Sequence, residues 1–442
     1  MLTREQLGRD VGQIVSSNAG VTPKWRRQDL ADRQKIVEER LKAGISADSA
    51  VEVALIASPD IQAIFERAGL ERANYLEGTS LSDPMIGWSR QGLRGGAGSK
   101  VEWNVLQSLS SLLTLPVRRR AAERELDAAR MTAAQDILAA ITDVRSAWIA
   151  AQAGEKIAYL AAERNDLARL QTELMERYVR AGNEPVTELQ ESRLAYAEQQ
   201  RIAAAAAEAG LQARVSLERR MGVSGLNIAW QLRGEFTALP ESDGELADLE
   251  AIAIKNRLDL RAARRRVEAL LANLSDARIR RILPDLSVGY GRERDPGGEV
   301  TAGPQAELQL PIFSSAQASL ARSDANTQLA MRDVEASMLA VRGEVRLARE
   351  RVSLARAGLL LARDSQVPAA ETLAEVRQRE LGYMLIGPFE AMEARGDAMA
   401  ARRELVEAER DYWQARLALA RAAALPLQAV REWAEPAEKP AP

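Results

Sequence analysis

The sequence contains no cysteine and no histidine. Without thiols there is no disulfide framework and no thiolate nucleophile. Without imidazole the commonest general base at neutral pH and the usual zinc ligand sets are missing. Aromatic residues make up only 4% of the 442 positions, with four Phe among them. That is sparse for a globular core of this length and points to packing through Ala and Leu. No run of about 18 apolar residues occurs, so a transmembrane helix is excluded and a passage through lipid would need a closed β-barrel. Neither charge is in large excess, with 60 basic and 63 acidic residues and a net charge of -3. The two signs are interleaved, which argues against a nucleic-acid partner, since that requires a basic face. The opening residues MLTREQLGRDVGQIV lack the basic and then apolar segments of a secretory signal, so an exported protein of this kind is expected to carry its leader upstream.

What is present is a chain rich in Ala, Glu, Arg and Leu, the composition of long helices packed along their length. Comparing the chain with itself divides it into a helical lead-in (1–45), a first repeat (46–224), a linker (225–243), a second repeat (244–426) and a tail (427–442) expected to be mobile. The linker has room for one short strand or helix against the bundle. Each repeat runs from short helices through a Gly-containing hairpin to a long helical hairpin.

The two hairpins, about 84–113 and about 285–310, alternate apolar and polar residues with period two. Ile86 and Trp88 alternate with Gly87 and Ser89, and Val101, Trp103 and Val105 with Glu102 and Asn104. In the second repeat Leu286, Val288 and Tyr290 alternate with Ser287, Gly289 and Gly291, and Ala306, Leu308 and Leu310 with Glu307 and Gln309. Pro116 and Pro311 then stand where the period changes, at expected first helical positions. Beyond them, long coiled-coil hairpins are expected over 116–222 and 311–425, with seams such as Ile137, Ile141, Val144 and Trp148. Gly182, Asn183 and Pro185 break the first hairpin, and the stretch from Gly382 to Pro388 breaks the second.

The fold class expected is mainly α with a β-barrel part. Four amphipathic strands cannot close a barrel, and open edges cannot stand in lipid, so oligomerisation is implied; three copies would supply about 12 strands. Ile86, Trp88, Trp103, Leu286, Val288, Tyr290 and Leu308 would face lipid, and Glu102, Asn104, Glu307 and Gln309 the lumen. Charged neighbours such as Arg264, Arg265 and Arg266 read as solvated helix faces. Met384, Met392 and Met399 read as packing residues rather than soft-metal ligands, the last two standing one heptad apart. No catalytic group, cofactor site or metal site can be assembled.

The segments LQSLSSLLTLPVRRRAAERELDAA and GPQAELQLPIFSSAQASLARSDAN resemble the strand-to-helix passages of TolC-type outer-membrane efflux proteins, and RYVRAGNEPVTELQESR and YMLIGPFEAMEAR resemble that family's hairpin tips. The resemblance spans roughly 47–425. It implies a homotrimer in the outer membrane, with a 12-stranded barrel continuous with a periplasmic α-helical barrel. It also implies a passive exit duct for small molecules or metal ions. Gating would lie at Gly182, Asn183, Pro185 and Thr187, and at Gly382, Met384, Ile386, Gly387, Pro388 and Phe389, where a periplasmic adaptor and an inner-membrane pump would engage. The second tip and ERDYWQARLALARAAAL further resemble a subgroup associated with copper resistance. The rival reading is a soluble periplasmic coiled-coil adaptor or scaffold, which would lack a lipid-facing band.

Overall fold

The computed structural model describes residues 3–25, 30–92, 99–225, 228–234, 236, 239–240, 248–282, 285–309 and 316–426. Two helices lead in, α1 (Arg4–Ala19) and α2 (Leu30–Lys42). The first half follows with α3 (Ala47–Ala57), α4 (Pro59–Thr79), β1 (Met85–Gly92), β2 (Ser99–Ser108), α5 (Leu109–Arg180) and α6 (Val186–Met221). The second half repeats that order with α7 (Leu249–Asn256), α8 (Leu258–Ile282), β3 (Asp285–Arg294), β4 (Val300–Gln309) and α9 (Ala316–Leu361). A π-helical turn (Ala362–Gln366) and then α10 (Val367–Gly382) and α11 (Pro388–Ala423) complete it. The tail at 427–442 and the Leu310–Pro311 junction lie outside the described residues.

The chain forms two compact units that cut across both halves. The first comprises Met1–Val11, Phe65–Ala133 and Leu258–Ala340. Its four strands make one antiparallel sheet in the order β1-β2-β3-β4, so the hairpins of the two halves are joined through β2 and β3. Ser108 closes β2 and begins α5: its hydroxyl accepts the Ser111 N–H at 3.3 Å while the Ser111 hydroxyl donates to the Ser108 carbonyl at 2.8 Å. This capping starts the helix at Leu109, so Pro116 lies inside α5 and not at its first position. Arg124 of α5 pairs with Glu268 of α8 at 3.0 Å, and Arg266 of α8 donates to the Thr132 hydroxyl at 3.1 Å.

The second unit comprises Gly12–Ile64, Ala134–Arg257 and Val341–Pro442. Its core is built on the expected seam: Ile137, Ile141, Val144 and Trp148 are all buried, with Leu217, Met221 and Tyr412. Gly154 of α5 and Gly210 of α6 meet so closely that a Cβ on Gly154 would lie 3.0 Å from the Gly210 Cα. Two helix-interior glycines, each costing about 1 kcal/mol against Ala, are the condition for that approach. In the linker Leu232 makes a parallel bridge with Ile45, whose carbonyl also accepts the Trp148 indole N–H at 2.9 Å. The second long helix is interrupted, contrary to expectation, by the π turn just ahead of Pro368. A proline there removes a helical donor and crowds the preceding turn, and one π-bulge relieves both.

Candidate functional site

Two places gather the residues singled out in the sequence: the sheet in the first unit and the hairpin tips in the second. Residues directly opposite in an antiparallel pair share a face. Ile86 pairs with Val105, Trp88 with Trp103, Val105 with Tyr290, Val288 with Ala306 and Leu286 with Leu308. The register therefore puts Ile86, Trp88, Trp103, Leu286, Val288, Tyr290 and Leu308 on one face. Ile86 and Trp88 leave 74% and 69% of their surface exposed, and Tyr290 and Leu308 50% each. Large apolar side chains are thus exposed together on one face of the sheet, as at surfaces that meet another molecule or a membrane.

Glu102, Asn104, Glu307 and Gln309 stand on the opposite face. There the Lys100 ammonium bridges Glu102 and Glu293 at 2.5 and 2.8 Å, and the Ser89 hydroxyl donates to Glu102 at 3.3 Å. Asn104 accepts the Gly87 N–H at 3.0 Å through its side chain. Gly87 and Gly291 leave the space that Asn104 and Gln305 fill, because a Cβ at either glycine would collide with those side chains. A depression of about 500 Å³ in the sheet is lined by Ser89, Glu102, Asn104, Glu293 and Gln305 among others. Its carboxylates, Glu102 and Glu293, are engaged by Lys100.

The tips have one backbone and two sequences. After α5 the Gly182 N–H donates to Val179 O at 3.0 Å and the Asn183 N–H to Tyr178 O at 2.9 Å, with Gly182 in the left-handed region at φ 74°. After α10 the Met384 N–H donates to Leu381 O at 3.0 Å and the Leu385 N–H to Glu380 O at 2.9 Å, with Met384 at φ 58°. Pro185 and Gly387 then occupy equivalent extended N-cap positions, at φ -77° and -78°, before α6 and α11. Gly382 ends α10, Ile386 is half-buried in the turn, Pro388 begins α11 and Thr187 stands in the first turn of α6.

Three residues not named among the expected gate residues, Tyr178, Tyr383 and Leu385, hold or define the tips. The Tyr178 and Phe389 rings meet edge to face at 5.7 Å and 79°, linking the two hairpins at their ends. Tyr383, with Met384 and Leu385, forms a cluster of large side chains left open, Met384 being 92% exposed. Arg193 crosses the first hairpin to Glu176 at 2.8 Å and holds that carboxyl below the usual carboxylate range. Arg402 crosses the second hairpin to Glu371 at 2.7 Å, farther from its tip. Among the described residues no group of acidic side chains could hold a metal ion, and no helix is long and apolar enough to cross a membrane.

No family model and no curated protein matches the sequence. Solved structures do. A membrane protein from Pseudomonas aeruginosa is 16% identical, with 92% of this chain and 97% of that one covered at a TM-score of 0.70. The CmeC outer-membrane channel of Campylobacter jejuni is 15% identical over 88% and 89% at 0.68. The transmembrane-channel protein CusC is 15% identical over 90% and 95% at 0.67. At such identities the likeness is one of architecture, and this chain has the fold of those channel structures.

Proposed function

We propose that the chain is one protomer of a homotrimeric outer-membrane exit duct that conducts small molecules or metal ions out of the periplasm and catalyses no reaction. The observation that carries this reading is the sheet: four strands in sequential order, outer edges of β1 and β4 unpaired among the described residues, one mainly apolar face and one polar face. In lipid every backbone donor and acceptor must be paired, so the edges must be closed by other copies. Three copies give about 12 strands, within the range of barrels with a watery interior. The seven apolar-face residues then meet lipid, and Glu102, Asn104, Glu307 and Gln309 line the lumen. Leu347, Leu354 and Leu361, exposed and one heptad apart on α9, supply a seam for a neighbouring protomer.

The tips are the gate. Gly182, Asn183, Pro185 and Thr187 on one side, and the stretch from Gly382 to Phe389 on the other, would meet a periplasmic adaptor coupled to an inner-membrane pump, and the energy for transport would come from those partners. A duct requires weak contacts along its lumen, and a chain without Cys or His is suited to passing a cargo rather than retaining it.

Planar-bilayer recording of the purified protein tests this directly, and discrete single-channel steps are expected. Leu286→Arg with Val288→Arg should abolish insertion, since a cation at the midplane of a barrel's lipid face costs about 2–4 kcal/mol. A monodisperse water-soluble monomer that tolerates both changes would overturn the duct and favour the scaffold.

A further inference from the structure

The apolar face of the sheet is not apolar throughout. Register pairs Arg90 with Val101 and Val101 with Arg294, while Arg292 lies opposite Trp103. Three arginines thus share the face that carries Trp88, Trp103 and Tyr290, all at the end where β1 turns into β2 and β3 into β4. All three are exposed. Among the described residues none makes an ion pair; Arg90 donates only to the Ser99 hydroxyl, at 3.2 Å. The lone cation of the other face, Lys100, is matched by two carboxylates. No described strand residue on the arginine face is acidic. The residues of edge strand β4 on this face are Val300, Ala302, Pro304, Ala306 and Leu308, so the strand residues of another copy would add no carboxylate to it; the acids at this end are Asp295 and Glu299 in the β3–β4 turn.

From this we infer that Arg90, Arg292 and Arg294 form a docking site for the phosphate headgroup of a lipid in the outer leaflet. The inference rests on the outer-membrane reading. The helices α4, α5, α8 and α9 all adjoin the opposite strand ends, so the arginine end points away from the periplasm. Strands stand about 4.8 Å apart and alternate residues about 7 Å apart along a strand, so the three Cα atoms fall within reach of one another's long side chains. Guanidinium forks take phosphate oxygens bidentately. The aromatic rings below mark the depth at which headgroups lie. Such a site would fix the height of the barrel and hold anionic lipid at its rim.

The test uses the full assembled protein in neutral detergent and native mass spectrometry to count retained lipid. Phosphatidic acid should be retained about tenfold over diacylglycerol with the same acyl chains. Arg90→Gln with Arg292→Gln and Arg294→Gln should remove that preference, Arg292→Gln alone should weaken it, and Lys100→Gln on the other face should leave it unchanged. Equal preference in parent and triple variant would overturn the site. Displacement of the lipid by millimolar inorganic phosphate would also overturn it, in favour of a free-anion site. Bilayer conductance separates the two readings: conductance without lipid preference sinks only the arginine site, whereas absence of conductance sinks the duct and the site with it.

Discussion

At the first hairpin tip a glycine holds the left-handed position and its exposed neighbours are Asn183 and Pro185; at the second the same position holds Met384, between Tyr383 and Leu385. The two hydrogen bonds that close the first turn, from Gly182 and Asn183, have counterparts from Met384 and Leu385 in the second. Geometry is therefore not what distinguishes them. A methionine at φ 58° is strained by about 1 kcal/mol relative to glycine, and it presents a large apolar surface to solvent at the end of a hairpin. Strain kept at an exposed apolar tip fits contact with a partner, whereas the first tip has the residue that suits the turn itself.

The largest effect should come from removing that apolar cluster. Tyr383→Ser, Met384→Ser and Leu385→Ser together should cut efflux of a dye by cells dependent on this chain more than about tenfold, as loss of a hot spot does. Asn183→Ser with Glu184→Ser should change it little. Equal losses at both tips would erase the functional distinction while leaving the structural one.

Exchanging the residues at the left-handed position sharpens the comparison next. Gly182→Met should destabilise the first hairpin by about 1 kcal/mol, and Met384→Gly should stabilise the second by somewhat less, because glycine also gains freedom in the unfolded chain. Denaturant midpoints of the two variants should move in opposite directions. Movement in the same direction would mean that one turn is not the conformational twin of the other. Phe389→Ala ranks below these, removing an edge-to-face ring contact worth about 0.5–1.5 kcal/mol beyond area burial. It should loosen both tips together, seen as faster amide exchange at Tyr178 as well as at Pro388's neighbours in α11.

How much of this was legible in the sequence follows the same divide. The strand faces were, because period two is a direct imprint of the pleat: a residue such as Trp88 or Glu307 has its face fixed by parity once the register is known. The helical seam through Ile137 and Trp148 was legible for the analogous reason. The start of α5 was not, since SLSSLL continues a strand-like pattern and the capping by Ser108 outweighs the signal from Pro116. The π turn before Pro368 depends on how a helix absorbs a missing donor, which residue spacing does not record. The identity of the two turns was hidden most completely: GNEP and MLIG share no residue at any equivalent position, and only the hydrogen-bond pattern relates them. Tyr178 likewise carries no local signal, as its partner Phe389 is supplied by the other half of the chain.

The smallest effect expected distinguishes the hairpins by their acid response. Glu176 accepts from the Arg193 guanidinium across the first hairpin, and this contact, aided by the charge of Arg180, lowers its pKa. A carboxyl with a depressed folded pKa contributes stability that is complete above its unfolded pKa and is lost as the pH falls through the folded value. Acidification from neutrality should therefore weaken the first hairpin below the ordinary Glu range. The side chains are exposed and screened, so the change should be small and should shrink further with added salt. Arg193→Gln should remove this part of the pH dependence by restoring Glu176 towards its ordinary value. If melting curves of parent and variant kept the same separation from neutral pH down through the titration of Glu176, the crossing contact would contribute nothing to the acid response of the first hairpin.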